Sequence, residues 1–163
     1  MPQLTAERLR ELLNYDPLIG TFTRRVGIRG HSQGSIAGTP LKQGHIKLQV
    51  DGVQFYAHRL AFVWMTGIWP INVVDHIDTD ASNNAWLNLR DVTHSVNMQN
   101  QRSATSRSRS GLLGVCWNKR RGLWVAQIGI NGGSKLIGYF DDKHKAYGAY
   151  VQEKRLIHAG CTL

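Results

Sequence analysis

The stretch 73–100, VVDHIDTDASNNAWLNLRDVTHSVNMQN, sets Asp75 beside His76, Asn88 twelve residues past that histidine, and Asn97 nine further on. An acid next to a histidine, followed at short range by two asparagines, can hold one divalent cation and one general base against a phosphodiester. Hydrolysis of that bond requires water to lose a proton, the crowded phosphorus to be stabilised, and the leaving 3′ oxygen to meet positive charge. A neutral imidazole with an ordinary pKa of ~6.5 suits the first need. A Mg²⁺-like ion suits the other two. Hard ions take oxygen ligands, and a carboxylate plus an amide carbonyl supply two without filling the shell.

The elements around this stretch are readable from periodicity and punctuation. Thr5 is a plausible cap for a helix over 6–14, with Glu7 in its first turn and Leu9, Leu12 and Leu13 as its apolar stripe. Glycine-punctuated short strands then run to Tyr56, with Asp51-Gly52 as a hairpin turn. Arg24, Arg25, Arg29, Lys42 and Lys47 lie on or near these hairpins, where they serve phosphate contacts or a solvated edge. HRLAFVWMT (58–66) reads as a buried helix stopped by Gly67. His58 is either a satisfied partner at that helix start or a direct participant in chemistry. A strand over 71–74, the Asp75-His76 pair, a polar loop, strand-like NLRDV and a helix from about Ser95 make a ββα unit with polar residues at its mouth. Asn83 and Asn84 are expected in turns. Asp78 and Asp80 are expected to cap the loop, and Arg90 either reaches a phosphate or pairs with an acid.

DHIDTDASNNAWLNLRDVTHSVNMQN resembles the HNH endonuclease motif of phage and homing type, and YAHRLAFVWMTGIWP resembles the segment leading into it. The similarity spans about 15–100. The resemblance implies that His76 is the general base, that Asp75 and Asn97 are metal ligands, and that Asn88 braces the loop and orients His76. Asn97 stands where many HNH enzymes have histidine, which leaves His94 as a competing second ligand. The implied cofactor is one divalent ion per site, Mg²⁺ with Mn²⁺ as the other option.

Charge separates the chain into two halves. The net charge is +9, and residues 101–163 carry 11 Lys/Arg against 3 Asp/Glu, whereas residues 1–100 carry 9 against 8. A basic half beside a near-neutral half suggests that one part grips a polyanion while the other acts on it. QRSATSRSRS (101–110) has no large apolar residue and reads as a linker whose Arg102, Arg107 and Arg109 could track a phosphate backbone. From 111 to 163, three strand-like segments precede a helix capped by Asp141 or Asp142. This part resembles the AP2 DNA-binding domain over 112–159, although DDKHKAYGAY departs from that family's usual helix. The resemblance implies that the sheet enters the major groove and that Trp117, Lys119, Arg120, Arg121, Trp124, Gln127 and Lys135 contact DNA. Trp124 is equally suited to packing beneath the helix.

The expectation is therefore an α+β protein: a hairpin-rich HNH region over 1–100, a basic linker over 101–110, and a three-stranded antiparallel sheet with one helix over 111–163. The expected activity is metal-dependent cutting of double-stranded DNA, one strand per encounter by a monomer, with a dimer as the route to double-strand breaks. The rival is a non-catalytic DNA-binding regulator on a nuclease scaffold. Cys116 and Cys161 are too few and too far apart for a cysteine zinc site or a disulfide scaffold. The polar, acid-bearing start MPQLTAERLRELL does not read as a secretory signal, so the expected location is cytoplasmic.

Overall fold

A computed structural model describes residues 4–28, 30–130, 132–158 and 161; Arg29 of the expected features lies outside the described residues. The chain divides into two compact units, Met1–His94 and Ser95–Leu163. Among the described residues no helix is long and apolar enough to cross a membrane.

In the first unit, α1 (Ala6–Leu12) starts where the Thr5 hydroxyl accepts from the Arg8 amide and ends two residues earlier than the apolar stripe suggests. The reason lies in Leu13 and Tyr15. They alternate with exposed Asn14 and Asp16 and are buried at a period of two, so they open strand β1 (Leu13–Asp16) instead of extending the helix. β1 pairs with β2 (Thr21–Arg24), which pairs with β3 (Ile36–Ala37). A second sheet follows, from β4 (Thr39–Pro40), β5 (Ile46–Val50) and β6 (Val53–Tyr56). Asp51 and Gly52 both take positive φ, 46° and 82°, as a tight turn between right-twisted strands demands.

Helix α2 (Ala57–Thr66) buries Leu60, Ala61 and Val63 and is stopped by Gly67 in the left-handed conformation. The next strand, β7 (Val73–His76), begins two residues later than expected. The Ile71 and Asn72 amides are taken by the Asp91 carboxylate, at 3.0 Å each, before the ladder begins. The Asp75-His76 pair thus ends a strand instead of following one. A 3-10 turn (Trp86–Asn88) leads into β8 (Leu89–Val92), antiparallel to β7, and then α3 (His94–Gln99), which runs across the division between the units. Leu9, Leu13, Phe22, Leu48, Leu60, Val63, Val74 and Leu89 share one core, which anchors the β7–β8 hairpin to α1, α2 and both small sheets.

The second unit is a three-stranded antiparallel sheet, β9 (Val115–Asn118), β10 (Leu123–Ile130) and β11 (Gly133–Phe140), with β10 central and α4 (Lys143–Ile157) packed on one face. Asp142 is the cap: its carboxylate accepts from the His144 and Lys145 amides. Val115, Ala126, Ile128, Ala146 and Tyr150 form the core. Gly114 is required there, because a Cβ at that position would lie 2.1 Å from the Tyr150 ring and its φ is +71°.

Candidate functional site

The loop that joins β7 to β8 is built from its own polar side chains. Asn88 donates to Asp78 Oδ1 at 2.9 Å and to the Asn83 carbonyl at 2.8 Å, and its Oδ1 accepts from the Asp78 amide. Asn83 donates to Asp78 Oδ2 at 2.7 Å. Burial works against the Asp78 charge, yet these donors and the Asp80 amide hold its carboxyl below the usual carboxylate range. Asn88 was expected to brace the loop and orient His76; the side-chain contacts above tie it to Asp78 and Asn83.

The His76 ring meets Asn84, which is fully buried. Its Nδ2 donates to the Ser82 carbonyl, which leaves Oδ1 to face His76 Nε2 at 3.1 Å. An amide oxygen can only accept, so this contact suits the tautomer of a neutral imidazole that carries its proton on Nε2. Asn84 is itself clamped by a distant hairpin. The buried Tyr15 hydroxyl donates to its carbonyl at 2.6 Å, and Gly20 (φ +73°) lies so close that a Cβ would meet the Asn84 carbonyl carbon at 2.2 Å. Burial and the nearby Asp16 push the Tyr15 phenol up, which keeps it a donor. The Trp86 amide closes the clamp by donating to the Pro17 carbonyl at 2.8 Å.

Two more histidines surround His76. His58, on the first turn of α2, lies 5.2 Å from it ring to ring, and His45, at the entry to β5, lies 5.8 Å away. One ring nitrogen of each of His45, His58 and His76 lies within 4.8 Å of the other two. The Nδ1 atoms of His45 and His58 are buried without a hydrogen-bond partner. Burial, aided by His76, His45 and Arg59, lowers the His58 pKa to about 3; burial and His76 also lower that of His45. Tyr56 stacks on His58 with centroids 5.3 Å apart, and the Lys47 ammonium sits 5.1 Å over the Tyr56 ring.

Asp75 is held differently. Arg90, directly across the ladder, places Nε at 2.9 Å and Nη2 at 2.7 Å from Asp75 Oδ2. The expectation for Arg90 left a phosphate or an acid open, and the acid is Asp75. The donors fit a divalent cation by two chemistries. Asp75 offers carboxylate oxygen of the kind a hard ion takes, and the three imidazoles, two with orphaned buried nitrogens, offer the set a borderline ion takes.

Residues 55–99 match the HNH endonuclease family. The HNH segment thus runs from the end of β6 to the end of α3, and it contains His58, Asp75, His76, Asn84, Asn88 and Asn97. A solved structure titled "DNA binding and cleavage by the HNH homing endonuclease I-HmuI" is 27% identical, covering 55% of this chain and 51% of that one, with a TM-score of 0.43. The chain spans about half the length of that protein. No curated protein matches the chain. Asn97 and His94 both lie on α3, and Asn97 belongs to the second unit. His45 lies outside the HNH match and outside every expectation from sequence.

In the second unit, a bulge between Ala126 and Gln127 redistributes the residues expected to face DNA. Ahead of it Ala126 pairs with Gly138; beyond it Gln127 pairs with Leu136 and Ile128 with Lys135. The slip of one residue reverses which β11 side chains face α4. Lys135 therefore lies on the helix side, its Nζ donating to Glu153 Oε1 at 2.6 Å. Trp117 and Trp124 are a cross-strand pair, 5.1 Å apart, in line with buried Val115 and Ala126 and so also on the α4 side. Exposed Gln127 stays on the open face, and Arg121 lies 4.3 Å over the ring of Tyr139, which pairs with Val125 there. Lys119 and Arg120 are exposed in the β9–β10 turn. Arg107 and Arg109 are exposed, Arg102 is half-buried, and Ser110 ties this segment to β9 by donating to the Val115 carbonyl at 2.6 Å.

Proposed function

We propose that the protein is a metal-dependent DNA endonuclease, with His76 as the general base and the second unit as its DNA grip. The observation that carries the reading is the His76–Asn84 hydrogen bond inside the HNH segment. In the neutral ring that contact favours the Nε2–H tautomer, which makes Nδ1 the atom to accept a proton from water. Buried His58 stays neutral above its lowered pKa of about 3 and adds no competing positive charge at neutral pH. Asp75 is the first choice as the ligand of a hard ion, and Mg²⁺ is the expected one. Such an ion, when bound, supplies positive charge to the phosphate and the leaving 3′ oxygen. The resemblance adds Asn97 as the second ligand, with His94 as its competitor; Asn97→Ala and His94→Ala distinguish them by the Mg²⁺ concentration that half-maximal cutting requires.

One such site in a monomer cuts one strand per encounter. The test is supercoiled plasmid with purified protein and Mg²⁺: nicked circles are expected from the wild type and none from His76→Ala, with DNA binding retained in both. A second reading is a DNA-binding regulator that does not cut. It is favoured by one contact, the engagement of Asp75 Oδ2 by both Arg90 nitrogens, which competes with any cation for that oxygen. Tight DNA binding with no cleavage across Mg²⁺, Mn²⁺ and Ca²⁺ would select it.

A further inference from the structure

His45 comes from the entry to β5, His58 from α2 and His76 from the end of β7. Three elements separated in sequence deliver three imidazoles to one place, where two buried Nδ1 atoms lack any hydrogen-bond partner. A buried polar atom without a partner is costly, so two in one cluster call for an occupant. Among His, Cys, Asp and Glu in the described residues, this is the cluster whose ligand atoms converge.

We propose that His45, His58 and His76 form a nitrogen-donor site for a borderline divalent ion, Zn²⁺ foremost, and that its occupation switches the nuclease off. The proposal rests on His76 being the base of the reaction above; the site itself does not. Zn²⁺ takes neutral imidazole nitrogen at about 2.0–2.1 Å, which places ligand atoms about 3.3 Å apart around a tetrahedron. The present spacing of up to 4.8 Å must close by about 1.5 Å. His45 is the group able to supply that movement, being half-buried where chain turns into β5, whereas His58 and His76 are fixed in a helix and a strand. The His76 Nε2–Asn84 contact is of the kind a ligating histidine makes, in which a carbonyl holds one N–H and the other nitrogen gives its lone pair to the ion. That lone pair is the one the reaction needs. An ion that takes it leaves the site without a base, while Mg²⁺, which prefers oxygen, does not compete for it.

The experiment uses the full chain, stripped with a chelator and titrated with Zn²⁺ against a chromophoric competitor, and separately with Co²⁺ followed by visible absorption. One ion per chain is expected, with intense four-coordinate Co²⁺ bands. His45→Gln and His58→Gln should each weaken binding by at least about tenfold. Zn²⁺ should suppress Mg²⁺-dependent nicking by the wild type, and His45→Gln should relieve that suppression relative to its own zinc-free rate. Pale six-coordinate Co²⁺ in the wild type overturns the site without recourse to any variant. So does stoichiometric binding that neither substitution weakens. Zinc binding with no Mg²⁺-dependent nicking leaves the metal site standing and removes the nuclease reading; nicking with no zinc site does the reverse.

Discussion

Two nitrogens of Arg90, Nε at 2.9 Å and Nη2 at 2.7 Å, converge on one oxygen of Asp75 across the β7–β8 ladder. The pair is unequal in its access to water: the Asp75 side chain is 7% exposed and that of Arg90 24%. Removing the arginine takes both of its donors from a carboxylate with little access to water, whereas neutralising the acid leaves a guanidinium that can hydrate. Arg90→Ala is expected to cost about 3 kcal/mol of folding free energy and Asp75→Asn about 1. Urea unfolding of the two variants decides it; equal losses would show that the pair is solvated like a surface bridge.

Asn84 should matter more to cutting than Asn88, although the HNH resemblance points to Asn88. Asn84→Ala removes the contact that fixes the His76 tautomer and empties a fully buried position. The expected result is a 10–100-fold loss in nicking with a shifted pH–rate profile, because the imidazole is free to exchange tautomers. Asn88→Ala should loosen the loop through Asp78 and Asn83 and lower the unfolding temperature, with the profile unmoved. If the two profiles coincide, Asn84 acts only as packing.

The local signals were legible and the long-range ones were not. Thr5 and Asp142 cap helices, Gly67 ends one and Asp51-Gly52 turns a hairpin, because each effect acts within four residues of its cause. Asp75, His76 and Asn88 could be singled out because their types and spacing lie in one short segment. Which asparagine reaches the imidazole depended on Tyr15, 69 residues away from Asn84, which no spacing reports. His45 joins the cluster only through the pairing of β5 with β6 and the docking of α2. Lys135 was expected to contact DNA by resemblance alone; its side of the sheet is set by a bulge that slips the alternation along β11 by one residue, and no residue type marks that slip.

The stability of the metal-free protein should fall in mild acid, and His58 should account for part of the loss. Its folded-state pKa of about 3 lies below the ordinary 6.5, so the unfolded chain binds the proton first as pH drops. The stability tied to the neutral ring is complete above pH 6.5 and disappears progressively as pH falls towards 3, at about 1.4 kcal/mol per unit. Between pH 7 and pH 5 the wild type should therefore lose about 2 kcal/mol more than His58→Gln. Urea midpoints in chelator at the two pH values measure the difference. Parallel losses in the two proteins would mean that His58 titrates normally in the folded state.

DNA affinity should follow the open face of the second unit, not its count of basic residues. Each lysine or arginine that neutralises a phosphate releases a counterion, so its removal makes the plot of log K against log salt shallower by about 1. Lys119, Arg120 and Arg121 sit in or beside the β9–β10 turn, and Arg121 is steadied by the Tyr139 ring at 4.3 Å. Alanine at each should reduce the slope by about one unit. Lys135 already has its ammonium on Glu153 at 2.6 Å on the α4 side, so Lys135→Ala should leave the slope unchanged. Fluorescence anisotropy with duplex DNA over a range of salt concentrations separates the two cases. A slope change at Lys135 equal to that at Arg121 would mean that the α4 side of the sheet, with Trp117 and Trp124, is the one that meets the duplex.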